Sequence, residues 1–316
     1  MQAVILAAGK GSRLNPITLR RTKAMVPILG KPIVERVMEN LVENGIREFI
    51  MVVSREDGEV GSYFRERSLL DVDVQFVIQS DRLGMANALT LAAPYLHDAF
   101  VLSACDNLVP REHIAELLAT FQQQQANAVL SLMEVEPAMI SRTGIVDIRD
   151  GQITCIVEKP KLEESPSNIA SLPLYVFSPR LLDYLPEVKL SPRGEYELQD
   201  AIQMLIDRAG QVTGVVTDSR LQLTNAADLL ALNRHYLTTG GDKPQLAPQS
   251  VGQHTHLITP LRIEEGTTIG PGCVIGPRVY IERDCTIGAD VLIKDAVILR
   301  NTVIEDGKQV VGEVVS

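Results

Sequence analysis

From Ile263 onward an aliphatic residue returns every six positions, at Ile263, Ile269, Ile275, Ile281, Ile287, Ile293 and Leu299. A second series follows each of these four residues later: Thr267, Cys273, Val279, Cys285, Val291, Val297 and Val303. A repeat this short is a unit that cannot bury its apolar face alone, so consecutive units must stack on one another. The tail is therefore an array of coils, and the chain ahead of it must supply its own core.

That leading part opens with a different signal. Ala3 to Ala7 is a short apolar run with β-branched residues, read as a buried strand, and it stops at Gly9 and Gly11. Glycines there let backbone N–H groups approach a ligand closely, which suits phosphates. Arg13 and Lys23 follow, and Lys31 to Asn44 carries Ile33, Val34, Val37, Met38, Leu41 and Val42 at helical spacing, with Pro32 in the first turn. Two common glycine loops are excluded. A P-loop requires a glycine five residues before Gly-Lys-Ser/Thr, and none precedes Gly9-Lys10-Gly11-Ser12; a dinucleotide fingerprint requires a third glycine where Leu14 stands.

Further apolar runs at Phe49 to Val53, Val72 to Ile78, Ala99 to Ala104 and Ala128 to Leu132 alternate with helical stretches. This predicts an α/β domain with a Rossmann-like, mostly parallel sheet, whose ligands bind beyond the carboxyl ends of the strands. A length of 316 residues fits one large domain and one small one. The net charge of −10 disfavours nucleic-acid and acidic-membrane partners and leaves anionic substrates to local cations. Cys105, Cys155, Cys273 and Cys285 form no C-x-x-C pair, and Met1 leads straight into the first strand. A cytoplasmic protein is expected.

The string Gly-x-Gly-Ser-Arg-Leu-x-Pro with Lys-x-x-x-Pro behind it resembles the signature of the sugar-1-phosphate nucleotidylyltransferases, the NDP-sugar pyrophosphorylases. Gln79-Ser-Asp-Arg-Leu-Gly84-Met-Ala-Asn-Ala resembles that family's base-reading segment, Cys105-Asp106 its metal-binding Gly-Asp, and Cys155-Ile-Val-Glu158-Lys159-Pro160 its Val-x-Glu-Lys-Pro. The resemblance implies roles. Arg13 and Lys23 are the catalytic cations, while Leu6, Ala8, Gly9, Gly11, Gln79 and Gly84 bind the nucleotide. Gly144, Glu158, Lys159 and Ser171 bind the sugar phosphate, and Asp106 holds Mg2+. A Gln side chain offers a donor and an acceptor to a pyrimidine edge, and a hard cation favours a carboxylate.

The pattern is broken at four places. Cys105 replaces glycine, Pro173 stands where relatives carry a glycine, and Gln199 replaces a threonine in Arg193-Gly-Glu195-Tyr-Glu-Leu-Gln-Asp200. Gln222 occupies the position of a metal-binding Asp, which makes Asn225 the candidate second metal ligand, or else the cap of the helix Ala226 to Tyr236. The tail resembles the hexapeptide left-handed β-helix, with fewer than three coils over residues 257–304.

The predicted division is a catalytic domain at 1–238, a linker at 239–256 and the β-helix at 257–316. The implied reaction joins a nucleoside triphosphate, UTP first and dTTP next, to a sugar-1-phosphate. The alternative is a catalytically silent, sugar-nucleotide-sensing subunit. Some relatives carry a tail acyltransferase that relies on histidine. Here the last histidine, His256, precedes the repeat, so the tail is expected to be an assembly device of a homo-oligomer.

Overall fold

Strand β1 (Gln2–Leu6) sits inside a nine-stranded mixed sheet. The computed structural model describes residues 1–239 and 246–316. The sheet is built from β1, β2 (Glu48–Ser54), β3 (Asp73–Gln79), β4 (Phe100–Ala104), β5 (Ala128–Glu134), β6 (Gly144–Arg149), β7 (Gln152–Glu158), β8 (Ile169–Phe177) and β9 (Val212–Val216). Its order is β7-β6-β8-β4-β1-β2-β3, with β5 also paired to β8 and β9 beside β5. β1 pairs in parallel with β2 and β4, and β2 with β3, while β8 runs antiparallel to β4, β5 and β6.

The helices follow from the spacing of apolar residues. α1 (Ile33–Glu43) buries Val34, Val37, Met38 and Leu41. It begins later than the sequence suggests, because Lys31–Pro32 pairs with Pro27–Ile28 as a small antiparallel hairpin. α2 (Gly58–Glu66), α3 (Met85–Ala92) and α4 (Arg111–Gln123) connect the strands, and α5 (Leu198–Ala209) buries Leu198, Ala201, Ile202 and Leu205 on one stripe. Ile202 and Leu205 are fully buried in the core that also holds Val4, Leu102, Tyr175 and Phe177. Each such side chain contributes about 1.5–3 kcal/mol.

Pro173 interrupts β8 at a bulge: the pairing with β5 shifts between Ser171↔Leu132 and Tyr175↔Leu130. A residue with no N–H is tolerated in a sheet at such a place.

The chain separates into two compact units, Met1–Gly9 with Val34–Leu221, and Lys10–Ile33 with Gln222–Ser316. The second unit contains α6 (Ala226–Thr239) and three four-stranded parallel sheets. One sheet stacks Ser250–Val251, Thr268–Ile269, Thr286–Ile287 and Val303–Ile304. The next stacks His256–Leu257, Val274–Ile275, Leu292–Lys294 and Gln309–Val311. The last stacks Leu261–Ile263, Val279–Ile281, Val297–Ile298 and Val314–Val315. This is a left-handed parallel β-helix of four coils, with Ile263, Ile275, Ile281, Ile287 and Ile293 in its interior.

Three expectations for the tail are corrected. The coils start at Ser250, inside the stretch read as linker, because Val251 and Leu257 already keep the six-residue step; the part of that stretch at 240–245 lies outside the described residues. His256 thus belongs to the first coil, and the coils number four instead of fewer than three. The period also slips: Ile281 pairs with Ile298, so the step from Ile293 to the next interior residue is five. Leu299 leaves the interior cluster and Val303 is 68% exposed, while Ala296 and Thr302 take over the corner series. Cys273 and Cys285 are buried free thiols on different faces of the prism.

Within the same unit the Lys10–Ile33 segment is tied down at two points. Arg21 forms a bidentate pair with Glu282, both buried, and the Leu29 N–H donates to Asn233 Oδ1 on α6 at 2.9 Å.

Candidate active site

Strand register gathers one set of expected residues along a single sheet edge in the first unit. Leu6 is the partner of Ala104, and Ser54 of Gln79, so β1, β3 and β4 end on the same side. The antiparallel strands bring their own residues to that edge: Leu174 pairs with Ser103, Ser171 with Gly144, and Gly144 with Glu158. This is the edge beyond the carboxyl ends of the parallel strands, where sheets of this class take their ligands.

At the outer end of the row, Glu158 holds Lys159 at 2.9 Å through one carboxylate oxygen, and its other oxygen, Oε2, is buried with no hydrogen-bond partner. Burial pushes the Glu158 carboxyl up, and the ammonium of Lys159 opposes that rise in part. Gln199, 4% exposed on α5, leaves its Oε1 equally unsatisfied. A Cβ at Gly144 would lie 3.2 Å from Glu158 Oε2 and 3.4 Å from Gln199 Nε2. Glycine therefore keeps open a small space bounded by the unsatisfied Glu158 Oε2 and by the amide nitrogen of Gln199. An unmade bond of this kind costs about 1–3 kcal/mol. Ser171, 3% exposed, donates from Oγ to the Tyr175 hydroxyl at 3.1 Å, and Lys159 is turned outward by a left-handed backbone at φ 48°.

At the other end, Gln79 is 4% exposed and its amide donates to the Gly84 carbonyl at 3.2 Å and to Asn87 Oδ1 at 2.8 Å. Both donors are thereby committed, and the carbonyl oxygen is the group left to meet a ligand. Gly84 has φ +98°, and a Cβ there would stand 2.9 Å from the Tyr196 nitrogen, so the tight turn into α3 demands glycine. The Ala8 carbonyl accepts a 2.8 Å bond from Arg82 Nε, and Arg82 also reaches Glu56 at 3.3 Å. Gly9 is exposed and has nothing near its missing Cβ.

Asp106 follows β4, half-buried; Cys105 packs inward, its N–H bonded to the Leu6 carbonyl at 3.2 Å. Arg220 faces this point. Its Nε donates to Asn107 Oδ1 at 2.6 Å, and burial lowers its guanidinium, with Asp106 and Tyr175 opposing. Among the described residues no group of three or more His, Cys, Asp or Glu is placed to hold a metal. A magnesium ion bound through one carboxylate and substrate phosphates needs no such cluster, so the donor set at Asp106 fits it.

The second unit carries the remaining expected residues. A Cβ on Gly11, at φ +64°, would stand 3.0 Å from Lys23 Cβ and 3.1 Å from Thr18 Cγ2, so the glycine loop closes directly over the stem of Lys23. Arg13 is exposed in the short turn Ser12–Leu14. Asn225 is used as a helix cap: its Oδ1 accepts from the Asp228 N–H at 3.0 Å, and Asp228 Oδ2 accepts from the N–H groups of Thr224 and Asn225. This reciprocal pairing satisfies the first turn of α6 and draws the Asn225 oxygen into it.

Sequence reasoning did not assign Arg82, Gln199 or Arg220 to the site. Gln199 was detectable as a departure from a motif, whereas Arg82 and Arg220 carry no spacing signal.

The nucleotidyl transferase profile matches residues 2–238 and the GMPPB C-terminal domain profile matches 257–316. The chain is 30% identical over 315 residues to a glucose-1-phosphate thymidylyltransferase of Streptomyces antibioticus, covering 99% of this chain and 85% of that one. It is 33% identical over 217 residues to the UTP–glucose-1-phosphate uridylyltransferase AglF of Haloferax volcanii, covering 68% and 87%. The low-salt glycan biosynthesis nucleotidyltransferase Agl11 of the same organism is 35% identical, and there the match spans 66% of this chain but only 57% of the relative. Two solved structures, a UDP-glucose pyrophosphorylase complexed with UDP-glucose and one from Acinetobacter baumannii, share the fold. Each has a TM-score of 0.68, with 22% and 23% identity, over 75% and 76% of this chain and 98% and 94% of theirs. The chain belongs to the nucleotidyl transferase family, in its sugar-1-phosphate branch.

Proposed function

We propose that the protein transfers a nucleoside monophosphate from a nucleoside triphosphate to a sugar-1-phosphate, giving an NDP-sugar and pyrophosphate. The observation that carries the sugar half is the space beside Gly144, bounded by the orphaned acceptor Glu158 Oε2 and by the amide of Gln199, whose Oε1 also lacks a partner. Two vicinal hydroxyls would supply the missing donors. Lys159, next in sequence and outward-facing, would meet the sugar phosphate, with Ser171 on the wall of the same row. Gln79, its donors spent on Gly84 and Asn87, presents an acceptor that suits the ring N–H of a pyrimidine. UTP is favoured, as in AglF, with dTTP next, as in the Streptomyces relative.

Backbone N–H groups of the loop Leu6 to Gly11 would cradle the phosphates. The sugar phosphate oxygen attacks the α-phosphorus in line, and Arg13 and Lys23 stabilise the charge gathering on the departing pyrophosphate. Mg2+ held by Asp106 would add charge neutralisation between phosphates; Asn225, committed as a cap, is the weaker candidate for a second ligand. Residues 1–238 would carry this chemistry and 257–316 would serve packing and assembly, in a cytoplasmic homo-oligomer. No helix among the described residues is long and apolar enough to cross a membrane. The test is pyrophosphate release with Mg2+ across a panel of nucleoside triphosphates and sugar-1-phosphates. Release with UTP or dTTP supports the reading, and silence with every pair overturns it in favour of a sensing subunit.

A further inference from the structure

The polar groups along the sugar half of the site are unevenly matched. Near β7, Glu158 Oε2 and Gln199 Oε1 are acceptors without donors; at the close of β4 the shortage is reversed. Asn107, 2% exposed, gives its Oδ1 to Arg220 Nε at 2.6 Å, which fixes the orientation of the amide and leaves its buried Nδ2 with no acceptor. That bond is the one Arg220 makes among the described residues, so both of its Nη atoms remain uncommitted. A guanidinium has five N–H donors and no acceptor, so this end offers donors in surplus.

Tyr175 links the two ends. It is 1% exposed and accepts from Ser171 Oγ at 3.1 Å. Burial pushes its hydroxyl up; the Ser171 bond opposes the rise, Glu158 adds to it, and the charge of Arg220 opposes it. Arg220 therefore acts on the same hydroxyl as Glu158, which places it on the sugar half.

The charge of Arg220 decides which ligand suits it. A sugar hydroxyl can satisfy a neutral amide, but a cation whose charged form is disfavoured chiefly by burial is stabilised most by an anion. Asp106 offsets this charge without forming an ion pair with it, and in the proposed reaction Asp106 is assigned to the phosphates. The 1-phosphate has Lys159, turned outward at the other end. What remains for Arg220 is an oxyanion on the sugar body, and a carboxylate matches its planar fork bidentately.

We propose that Arg220 determines sugar specificity by receiving a carboxylate on the sugar, so that the sugar substrate is the 1-phosphate of a hexuronic acid. The reaction step rests on the proposed function, and the binding preference does not.

The test uses the full chain. Steady-state kinetics compare glucuronic acid 1-phosphate with glucose 1-phosphate, and calorimetry compares UDP-glucuronic acid with UDP-glucose. Wild type is expected to favour the acidic sugar by about tenfold or more in kcat/KM and in Kd, the worth of one charge-assisted pair. Arg220→Met should bring both ratios close to one, and Arg220→Lys should retain part of the preference, with circular dichroism confirming that each variant is folded. A structural role would lower both sugars together and leave the ratios unmoved. Such a shared loss, or a wild type that does not distinguish the two sugars, overturns the proposal. Absence of transfer with every pair counts against the proposed function, and the calorimetric ratio then decides the role of Arg220.

Discussion

Both terminal nitrogens of Arg21 lie 2.9 Å from the two carboxylate oxygens of Glu282, a buried bidentate pair between residues 261 positions apart in sequence. Removing one partner strands a buried charge, at a cost of about 3–5 kcal/mol. Glu282→Gln should therefore lower the melting temperature markedly. Arg21→Met with Glu282→Leu should recover much of the loss, because a buried pair can be replaced by apolar side chains at little cost. Equal melting of wild type and Glu282→Gln in a calorimetric scan would contradict the pair's importance.

Deleting residues 257–316 removes Glu282 and most of the coils that share a unit with Lys10–Ile33. Read from sequence as an assembly device, the tail has a second use in holding that segment. Truncation should lower oligomeric mass, melting temperature and turnover together. Light scattering, melting and pyrophosphate release measure each in turn, and unchanged turnover would separate the tail from the loop it packs with.

Lys23 supports the glycine loop at Gly11 and is expected to stabilise charge in the transition state. Replacement by Ala should lower turnover by about 100-fold or more, by analogy with the loss of one preorganised donor. The measurement is steady-state kinetics, with near-wild-type turnover as the opposing result.

Glu158 and Gln199 are expected to act on the sugar. Gln199→Leu should raise KM for the sugar-1-phosphate by about tenfold, the worth of one or two neutral hydrogen bonds, while leaving KM for the nucleotide near its original value. A matched rise in both constants would point to a general structural defect.

Glu158 also makes a pH prediction. Its folded pKa is raised by burial, so its contribution to stability is complete below the unfolded carboxylate value and is lost as pH rises through the folded pKa. Glu158→Gln should thus gain melting temperature relative to wild type as pH increases from about 4 to 7. A difference independent of pH would argue against the buried, destabilised carboxylate.

The strands were readable because buried parallel strands are short apolar runs: Ala3 to Ala7 and Phe49 to Val53 each lie within a residue or two of β1 and β2. Gln79, Asp106, Gly144 and Glu158 were readable as motif residues, and register alone then brings them to one edge. The slip at Ile298 was hidden, because Ile298 and Leu299 are both aliphatic and the six-residue count selects the wrong one. Asn225 carried two meanings, ligand and cap, which only the position of Asp228 separates. Arg21 with Glu282 left no local trace, since ion pairs between distant segments impose no spacing.

The five-residue step has a consequence for how the prism finds its alignment. A strictly periodic stack offers many near-equal pairings, because sliding one strand by a whole coil returns every side chain to an equivalent slot. Two five-residue steps, from Ile293 to Ile298 and again from Val310 to Val315, reduce that degeneracy: a coil that slides past the first would place Leu299 inside and Ile298 out. Each irregularity acts as a notch in an otherwise uniform rack, allowing the coils to mesh in one position.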